Sequence, residues 1–165
     1  MSESKRMHRC CFTGHRPEKL TIAENEVREK LTKAINDAIS DGFTTFITGM
    51  ARGVDMWAAE IVISIKENDD RIKLICASPF IDFEKNWTLD EQNRYKNIME
   101  KADYIKFVCK DYSRNCFQIR NEYMVNNSGR VIAVFNGERG GTLNTIKYAK
   151  RKSCEVVNVI DTLEM

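Results

Sequence analysis

The stretch Val131-Ile-Ala-Val-Phe135 is apolar at every position and is followed at once by Asn136-Gly137. A strand without polar residues is typical of a parallel sheet, because helices cover both faces of such a sheet. Further runs have the same short, strand-like character: Arg9–Phe12, Thr44–Thr48, Ile72–Ala77, Tyr104–Val108 and Glu155–Ile160. We therefore expect about six strands in a mostly parallel sheet.

Helical patterns separate these strand-like runs. Val27, Leu31, Ile35 and Ile39 recur every four residues and predict one amphipathic helix, and Thr21-Ile-Ala-Glu24 predicts a capping box before it. Other helices are predicted over about 54–65, 89–101, 117–127 and 142–150. Alternation of strands and helices from end to end predicts an α/β fold, a single Rossmann-like three-layer sandwich with helices on both faces of the sheet.

The length of 165 residues is that of one domain. We expect a single Rossmann-like domain over residues 1–165, in which residues 1–8 form a flexible N-terminal extension. The 26 basic and 24 acidic residues leave a formal net charge of +2. Charge alone therefore gives no support to a nucleic-acid-binding protein, although a local basic patch is compatible with it.

The cysteine pattern predicts reduced thiols. Of the six cysteines, Cys76, Cys109 and Cys154 lie within or beside strand-like runs, where a free cysteine behaves as a small hydrophobic residue. The chain has two histidines and no C-x-x-C pair, so we expect no metal site. The start MSESKRMHR lacks the apolar core of a signal peptide, and no run approaches the ~18 apolar residues of a membrane span. We expect a cytoplasmic protein without a membrane partner.

Ligands of Rossmann-like folds bind at the carboxyl ends of the strands, so the loops that follow strands hold the candidate residues. The first loop contains Gly14, His15 and Arg16. Glycine permits a close approach of the backbone, arginine suits a phosphate, and histidine can donate, accept or titrate. The alternative is an ordinary turn that carries a solvated basic residue.

The loop after the second strand contains Gly49, Arg52 and Gly53 and leads into a helix. Two glycines and an arginine at a helix N-terminus indicate an anion-binding loop. Asp55, in the first turn of that helix, has three alternatives: it caps the helix, holds a ribose hydroxyl, or holds Arg52. Because the loop is not a G-x-G-x-x-G fingerprint, it gives only weak support for a dinucleotide.

The predicted helix 117–127 carries Arg120 and Asn121 on the same stripe as Phe117 and Met124. A buried arginine is rare unless it is paired, so this stripe indicates a lined pocket; a solvated helix with inexact periodicity is the alternative. The loop after the fifth strand brings Gly140, Gly141 and Thr142 to the start of another helix. At this position Thr142 either caps the helix or donates a hydrogen bond to a phosphate. The alternative is that the loop is only a flexible connection.

Taken together, these loops predict a site for a phosphorylated, nucleotide-like ligand. Four motifs resemble, in their order, those of the YpsA-like branch of the SLOG superfamily, which also contains the DNA-processing protein DprA and the LOG phosphoribohydrolases. The motifs are Gly14-His-Arg-Pro17, Gly49-Met-Ala-Arg-Gly-Val-Asp55, Arg120-Asn-Glu-Tyr-Met124 and Gly140-Gly-Thr-Leu-Asn-Thr145. The resemblance spans Cys10 to about Val159 and implies a Rossmann-like fold with a nucleotide, NAD-like or ADP-ribose-like ligand.

The resemblance also implies roles for individual positions. The stretch Gly49–Asp55 matches the G-x-x-R-G-x-D element shared with DprA, and Gly140–Thr142 matches the glycine–threonine phosphate loop. Arg120 matches the arginine of the R-K-x-x-M element of the LOG enzymes, whereas Asn121 replaces its lysine. Thr145 stands where those enzymes carry a catalytic glutamate, so this position gives no support for LOG-type hydrolysis.

The leading hypothesis is a binding protein for a nucleotide or nucleotide-derived ligand, acting as a sensor or regulator. Two alternatives stay open: a hydrolase of an N-glycosidic or phosphoester bond, and a DprA-like module that binds single-stranded DNA. The sequence identifies no catalytic residue. A homodimer is also left open, because no interface is marked in the sequence.

Overall fold

Six parallel strands form one sheet in the part of the chain that the computed structural model describes, residues 3–160. Their order across the sheet is β4-β3-β2-β1-β5-β6. The strands are Arg9–Gly14 (β1), Thr45–Thr48 (β2), Lys73–Ser78 (β3), Tyr104–Phe107 (β4), Arg130–Val134 (β5) and Glu155–Asn158 (β6). The α/β class and the parallel sheet of about six strands are confirmed.

The helices are Glu3–Arg6 (α1), Glu24–Ser40 (α2), Val54–Lys66 (α3), Leu89–Lys101 (α4), Cys116–Asn126 (α5) and Gly141–Arg151 (α6). Helices α2, α3 and α4 share one hydrophobic core with the sheet, and α5 and α6 share a second. Strand β1 shows why there are two cores: Cys10 and Phe12 belong to the first and Cys11 to the second, because successive strand side chains point to opposite faces.

The direction of the strand order changes at β1. Strand β1 pairs with β2 on one side and with β5, which comes much later in the chain, on the other. This is the switch point of the sheet, where the connections leave the carboxyl edge in opposite directions and open a crevice. Strand β1 extends further than predicted: Thr13 and Gly14 pair with Ala133 and Val134, so Gly14 is the last residue of the strand rather than part of the loop.

The predicted capping box at Thr21–Glu24 is wrong. Helix α2 begins after Ala23, which makes no side-chain cap within residues 3–160. Leu20 and Ile22 pack against the first core, and this tertiary anchoring of the entering chain sets the start of the helix instead of a local cap. A capping box does occur at the start of α4, where the Thr88 hydroxyl accepts from the Glu91 amide at 3.2 Å.

The predicted extension at residues 1–8 includes α1, and its Arg6 donates to the carbonyl of Ser128 at 2.9 Å. All six cysteines are free thiols, and all but Cys109 are buried. Within residues 3–160, no helix is long and apolar enough to cross a membrane, and no cluster of three or more His, Cys, Asp or Glu side chains has the arrangement of a metal site.

Candidate functional site

A cleft of about 660 Å³ lies at the carboxyl edge of the sheet. The end of β1, the loop after β2, the segment before α4 and the first turns of α5 and α6 form its walls. It brings together ten predicted site residues: Gly14, His15, Arg16, Arg52, Asp55, Arg120, Asn121, Gly140, Gly141 and Thr142. Gly49, Gly53 and Thr145 do not line the cleft: Gly49 contacts Arg120 and Thr145 contacts Gly141, which do line it, and Gly53 packs against Pro17.

The first wall depends on two glycines that allow close packing of loops. A Cβ atom at Gly14 would lie 2.6 Å from Cγ2 of Val54, and one at Gly53 would lie 2.7 Å from Cδ of Pro17. Gly53 also has a φ of +86°, a conformation that favours glycine. The turn after β1 and the N-terminus of α3 are therefore pressed against each other, and a side chain at either glycine would separate them.

His15 is buried and stacks on Phe135, with the ring centroids 5.6 Å apart. Its Nε2 atom has no hydrogen-bond partner within residues 3–160. Burial lowers the pKa of His15 below its usual value, and Lys19 acts in the same direction while Glu138 opposes it. This environment therefore favours the neutral form of the imidazole.

Two cations, Arg16 and Lys19, lie at this wall without a carboxylate partner in the described part of the chain. Both side chains are exposed. Sequence reasoning found Arg16 and missed Lys19, although the 3-10 turn Pro17–Lys19 carries it directly after the first motif. The turn residue Pro17 was the available signal, because it starts a 3-10 turn, in which residues three positions apart, here Arg16 and Lys19, lie on the same side.

The loop after β2 is held by its own hydrogen bonds. The Thr48 hydroxyl donates to the Asp55 carbonyl at 2.8 Å, and the Asp55 carboxylate accepts from the amide of Ala51 at 3.2 Å. Met50 adopts a φ of +63° within this loop, a conformation unusual for a residue with a side chain. The residue that caps α3 is Gly53, so the prediction that Asp55 caps the helix is wrong.

Arg52 lines the cleft and pairs with carboxylates of two other segments. Its guanidinium donates to Glu18 at 2.8 Å and to Glu91 at 3.5 Å. The prediction that Asp55 holds Arg52 is therefore wrong. Arg52 joins the turn after β1 to α4 across the mouth of the cleft, because carboxylates from both sides lie within reach of its planar group.

Arg120 and Asn121 are buried, as the inward stripe predicts. Arg120 donates to the Gly49 carbonyl and, through Nε, to the Asn121 side-chain oxygen at 2.8 Å. Burial raises the pKa of Asp55 to about 6, and the positive charge of Arg120 opposes that rise. A Cβ atom at Gly49 would lie 2.9 Å from Oδ2 of Asp55, so a glycine is needed where these two charged groups approach the loop.

The opposite wall begins at α6. Gly140 caps this helix with a φ of +143°, so the prediction that Thr142 is the cap is wrong. Thr142 is buried in the first turn, and the hydroxyl of Thr145 donates to the Gly141 carbonyl at 2.8 Å. The first amides of a helix have no partner within the helix and carry partial positive charge. This end of the cleft is therefore suited to an anion.

Aromatic residues form the part of the cleft that sequence reasoning missed. Phe83, Trp87 and Phe117 line it. Phe117 was predicted to face inward with Met124, but it is 38% exposed whereas Met124 is buried, because the Phe117 ring lines the open cleft. The available signals were the aromatic residues Phe80 and Trp87, which lie outside the four motifs.

The fold and the cleft define the class of the protein: a Rossmann-like α/β domain with a crevice at the switch point of a parallel sheet. The family model described as the YspA SLOG family matches residues 10–164, and the chain belongs to that family. The resemblance found in the sequence is confirmed. Over 154 residues the chain is 28% identical to a UPF0398 protein of Bacillus cereus (strain G9842), a match that covers 88% of this chain and 84% of the relative.

Two solved structures have a similar fold. DNA processing protein A from Helicobacter pylori matches with a TM-score of 0.60 and 17% identity over 93% of this chain and 65% of that protein. DNA processing protein A from Streptococcus pneumoniae matches with a TM-score of 0.61 and 15% identity over 88% of this chain and 48% of that protein. This chain thus spans less than two thirds of either protein, and the similarity concerns the fold.

Proposed function

We propose that this protein binds a nucleotide or nucleotide-derived ligand, such as an NAD-like or ADP-ribose-like molecule, in the cleft at the carboxyl edge of the sheet. One observation carries the proposal. Arg16 and Lys19 have no carboxylate partner within residues 3–160 and line the same cleft as the glycine turn Gly140–Gly141. Cations and free helix amides that face one crevice favour a phosphate group.

The other charges of the cleft support this reading. Arg52 is already paired with Glu18 and Glu91, and Arg120 lies beside the buried Asp55. The surplus positive charge is therefore concentrated at Arg16 and Lys19. Charges of one sign that line a cleft focus the electric field there, so they attract an anion more strongly than the same charges dispersed over an open surface.

The ligand class follows from the size and composition of the cleft. A volume of about 660 Å³ with an anion-binding end and an apolar end suits a molecule that carries both a phosphate and an aromatic group. We propose a binding role, as a sensor or regulator. Thr145 uses its hydroxyl in the helix and, as a threonine, offers no carboxylate for catalysis.

Binding is tested by thermal shift and calorimetry with AMP, ADP, NAD and ADP-ribose. We expect at least one of these to stabilise the protein, and Arg16→Ala to weaken its binding about tenfold or more, because a charge-assisted hydrogen bond to phosphate is lost. Arg139→Ala is the matched control, since Arg139 is exposed and does not line the cleft. An absence of stabilisation by all four compounds at millimolar concentration would contradict the proposal.

A second candidate function, hydrolysis of the N-glycosidic bond of the bound ligand, is favoured by Asp55. This carboxyl lines the cleft, and burial raises its pKa to about 6, a value at which a carboxyl can act as a general acid near neutral pH. The test is release of free base from AMP or NAD. Hydrolysis that is lost in Asp55→Asn supports this function, and an absence of base release rules it out for these compounds.

A third candidate is binding of single-stranded DNA, which the Helicobacter pylori protein of similar fold is described as binding. A fluorescent oligothymidylate tests it. Binding that decreases steeply with added salt and is competed by ADP would assign the DNA to the same cleft. An absence of binding at low salt would leave the mononucleotide ligand as the sole candidate of the two.

A further inference from the structure

Three aromatic rings form one side of the cleft, and we refer to Phe83, Trp87 and Phe117 as the aromatic wall. The ring centroids of Phe83 and Trp87 are 5.1 Å apart at 73°, and those of Phe83 and Phe117 are 5.7 Å apart at 53°. All of the wall residues line the cleft. None belongs to the fully buried core, and Phe117 is 38% exposed.

Neighbouring side chains restrict the positions of the rings in the aromatic wall. Phe80 contacts Phe83 at 5.5 Å and Phe117 at 6.3 Å between ring centroids, and Tyr112 contacts Phe117 at 6.3 Å. The guanidinium carbon of Arg120 lies 5.9 Å from the centre of the Phe117 ring. Rings with several tilted and edge-to-face neighbours are restricted in position, so the wall is formed before any ligand arrives.

The wall and the anion-binding end lie on opposite sides of the switch point. Phe83 and Trp87 follow β3, whereas Gly140–Thr142 follow β5, and β2 and β1 lie between those strands. Three strand spacings put roughly 14 Å between β3 and β5. The side chains of both walls extend into this space. A ligand with a flat group at one end and phosphates at the other can extend across a separation of this size.

We propose that the aromatic wall is the subsite for the nucleobase, with the base stacked against Phe117 and Phe83 and the phosphates directed toward Arg16 and the first turn of α6. This inference rests on the proposed function and adds the orientation of the ligand and the group that the protein selects. The occupant is the heteroaromatic base of a nucleoside 5′-phosphate or diphosphate, because a base can stack on the exposed ring of Phe117 while its phosphates reach the cations across the cleft.

The polar groups beside the wall agree with this occupant. Asn86 lines the cleft next to Trp87, and its side-chain amide can both donate to and accept from the edge of a base. An aliphatic chain could form no hydrogen bond with this amide. A cleft with an aromatic wall, the Asn86 amide beside that wall and a cationic far end is matched by a base, a ribose and a phosphate in that order.

The inference predicts that the base contributes much of the affinity. Calorimetry with the full chain compares ADP with ribose 5-phosphate and with inorganic pyrophosphate. We expect ADP to bind roughly 5- to 150-fold more tightly than either compound without a base, which is the range for stacking of one base on an aromatic side chain. Trp87 supplies a second readout: it lines the cleft, whereas the other tryptophan, Trp57, is buried, so ADP and not pyrophosphate should change the tryptophan emission.

Substitutions separate stacking from general effects on the fold. Phe117→Ala should weaken ADP binding within the same range and leave pyrophosphate binding unchanged, and Phe117→Tyr, which retains a ring, should restore the ADP affinity. Tyr104→Ala is the matched control, since Tyr104 is an exposed aromatic residue on β4 outside the cleft. The thermal midpoint of each variant is measured without ligand to verify that it is folded.

Equal affinity for ADP and pyrophosphate, or an equal loss of both in Phe117→Ala, would overturn the aromatic wall as a base subsite while leaving phosphate binding intact. Binding of none of the phosphorylated probes would instead overturn the proposed function on which the inference rests. If Phe117→Ala does not fold, the comparison of ADP with pyrophosphate and the Phe117→Tyr variant still decide between these outcomes.

Discussion

Asp55 and Glu60 are carboxylates on the same helix, α3, and their pKa values are displaced in opposite directions. Burial raises the pKa of Asp55 to about 6. Burial also acts to raise the pKa of Glu60, but hydrogen bonds from Arg94 and Arg28 hold it below its usual value. The two guanidiniums contact Glu60 at 2.6 Å and 2.9 Å. Asp55 has Arg120 as its nearby cation, and Arg120 donates to Gly49 and Asn121.

The difference distinguishes a structural ion pair from a site. The outer side of α2, α3 and α4 carries a group of four side chains that we call the Glu60 cluster: Glu24, Arg28, Glu60 and Arg94. Each of its cations has a carboxylate partner, and the cluster joins three helices. At the cleft the compensation is partial: Asp55 is poorly neutralised, and Arg16 has no carboxylate partner within residues 3–160. Incomplete pairing at a crevice leaves charge available to a ligand.

The largest effect is expected from Arg120→Ala. The substitution leaves the Asp55 carboxyl without its nearby cation and the Gly49 carbonyl without its donor. A buried hydrogen bond from a charged group contributes about 1.5–3 kcal/mol, so the loss of the bonds to Gly49 and Asn121 should lower the free energy of unfolding by about 3–5 kcal/mol. Urea denaturation measures the loss. Arg114→Ala, at an exposed arginine in the loop before α5, is the control and should change stability by less than about 0.5 kcal/mol. A loss of that small size for Arg120→Ala would remove the distinction between the two regions.

The next effect is a pH dependence from Asp55. Its pKa in the folded protein, about 6, is above the usual 3.8, so the folded state takes up the proton first as the pH decreases. The cost of the buried carboxylate is therefore fully present above about pH 6 and disappears as the pH falls toward 4. The gain in the free energy of unfolding from Asp55→Asn should be about 3 kcal/mol larger at pH 7.5 than at pH 4, because the pKa of Asp55 is raised by about two pH units.

This pH effect is measured by chemical denaturation of the wild type and Asp55→Asn at both pH values. Glu60→Gln serves as the contrast, because a carboxylate with a lowered pKa contributes stability that is lost as the pH falls. The two variants should therefore change the pH profile with opposite signs. Profiles of the same sign would contradict the assignment of Asp55 as the poorly compensated group.

The smallest of these effects concerns the outer cluster. Glu60→Gln should lower the free energy of unfolding by about 1–2 kcal/mol, since two partly buried guanidiniums lose their shared partner. Asp37→Asn is the matched control, because its pair with Lys33 is exposed and should contribute about 0.3–0.5 kcal/mol. A cost for Glu60→Gln no larger than the control would show that the cluster is merely a surface feature.

Much of the fold was predictable from local pattern. In the part of the chain that the structure describes, the alternation of apolar runs and amphipathic stretches identified all of the strands and all of the helices from α2 onward, and the bounds predicted for α4 agree with Leu89–Lys101. The error at Thr21–Glu24 has a physical reason: the same four-residue pattern occurs at Thr88–Glu91, and it becomes a cap only where tertiary packing starts the helix at that residue.

The candidate site was predictable to a lesser extent. Gly14 and Gly140 were identified because glycine before a helix or turn has few local explanations, and Arg120 because a charge on an apolar stripe is unusual. The partners of Arg52 were not predictable: Glu18 and Glu91 are far from it in sequence. The exposure of Phe117 was not predictable either, since the periodicity of a helix does not reveal which inward-facing positions line an open cleft.

The sequence by itself determined the class of fold, the family motifs and the loops that reach the carboxyl edge, because hydrophobic period and glycine placement act over a few residues. Only the tertiary structure decided which charges are neutralised and which face the cleft. That decision depends on contacts between segments distant in sequence, such as Arg52 with Glu18 and Arg120 with Gly49. Phe83 and Phe117, which form one wall, also come from segments distant in sequence. Packing between such segments is not encoded in either segment alone.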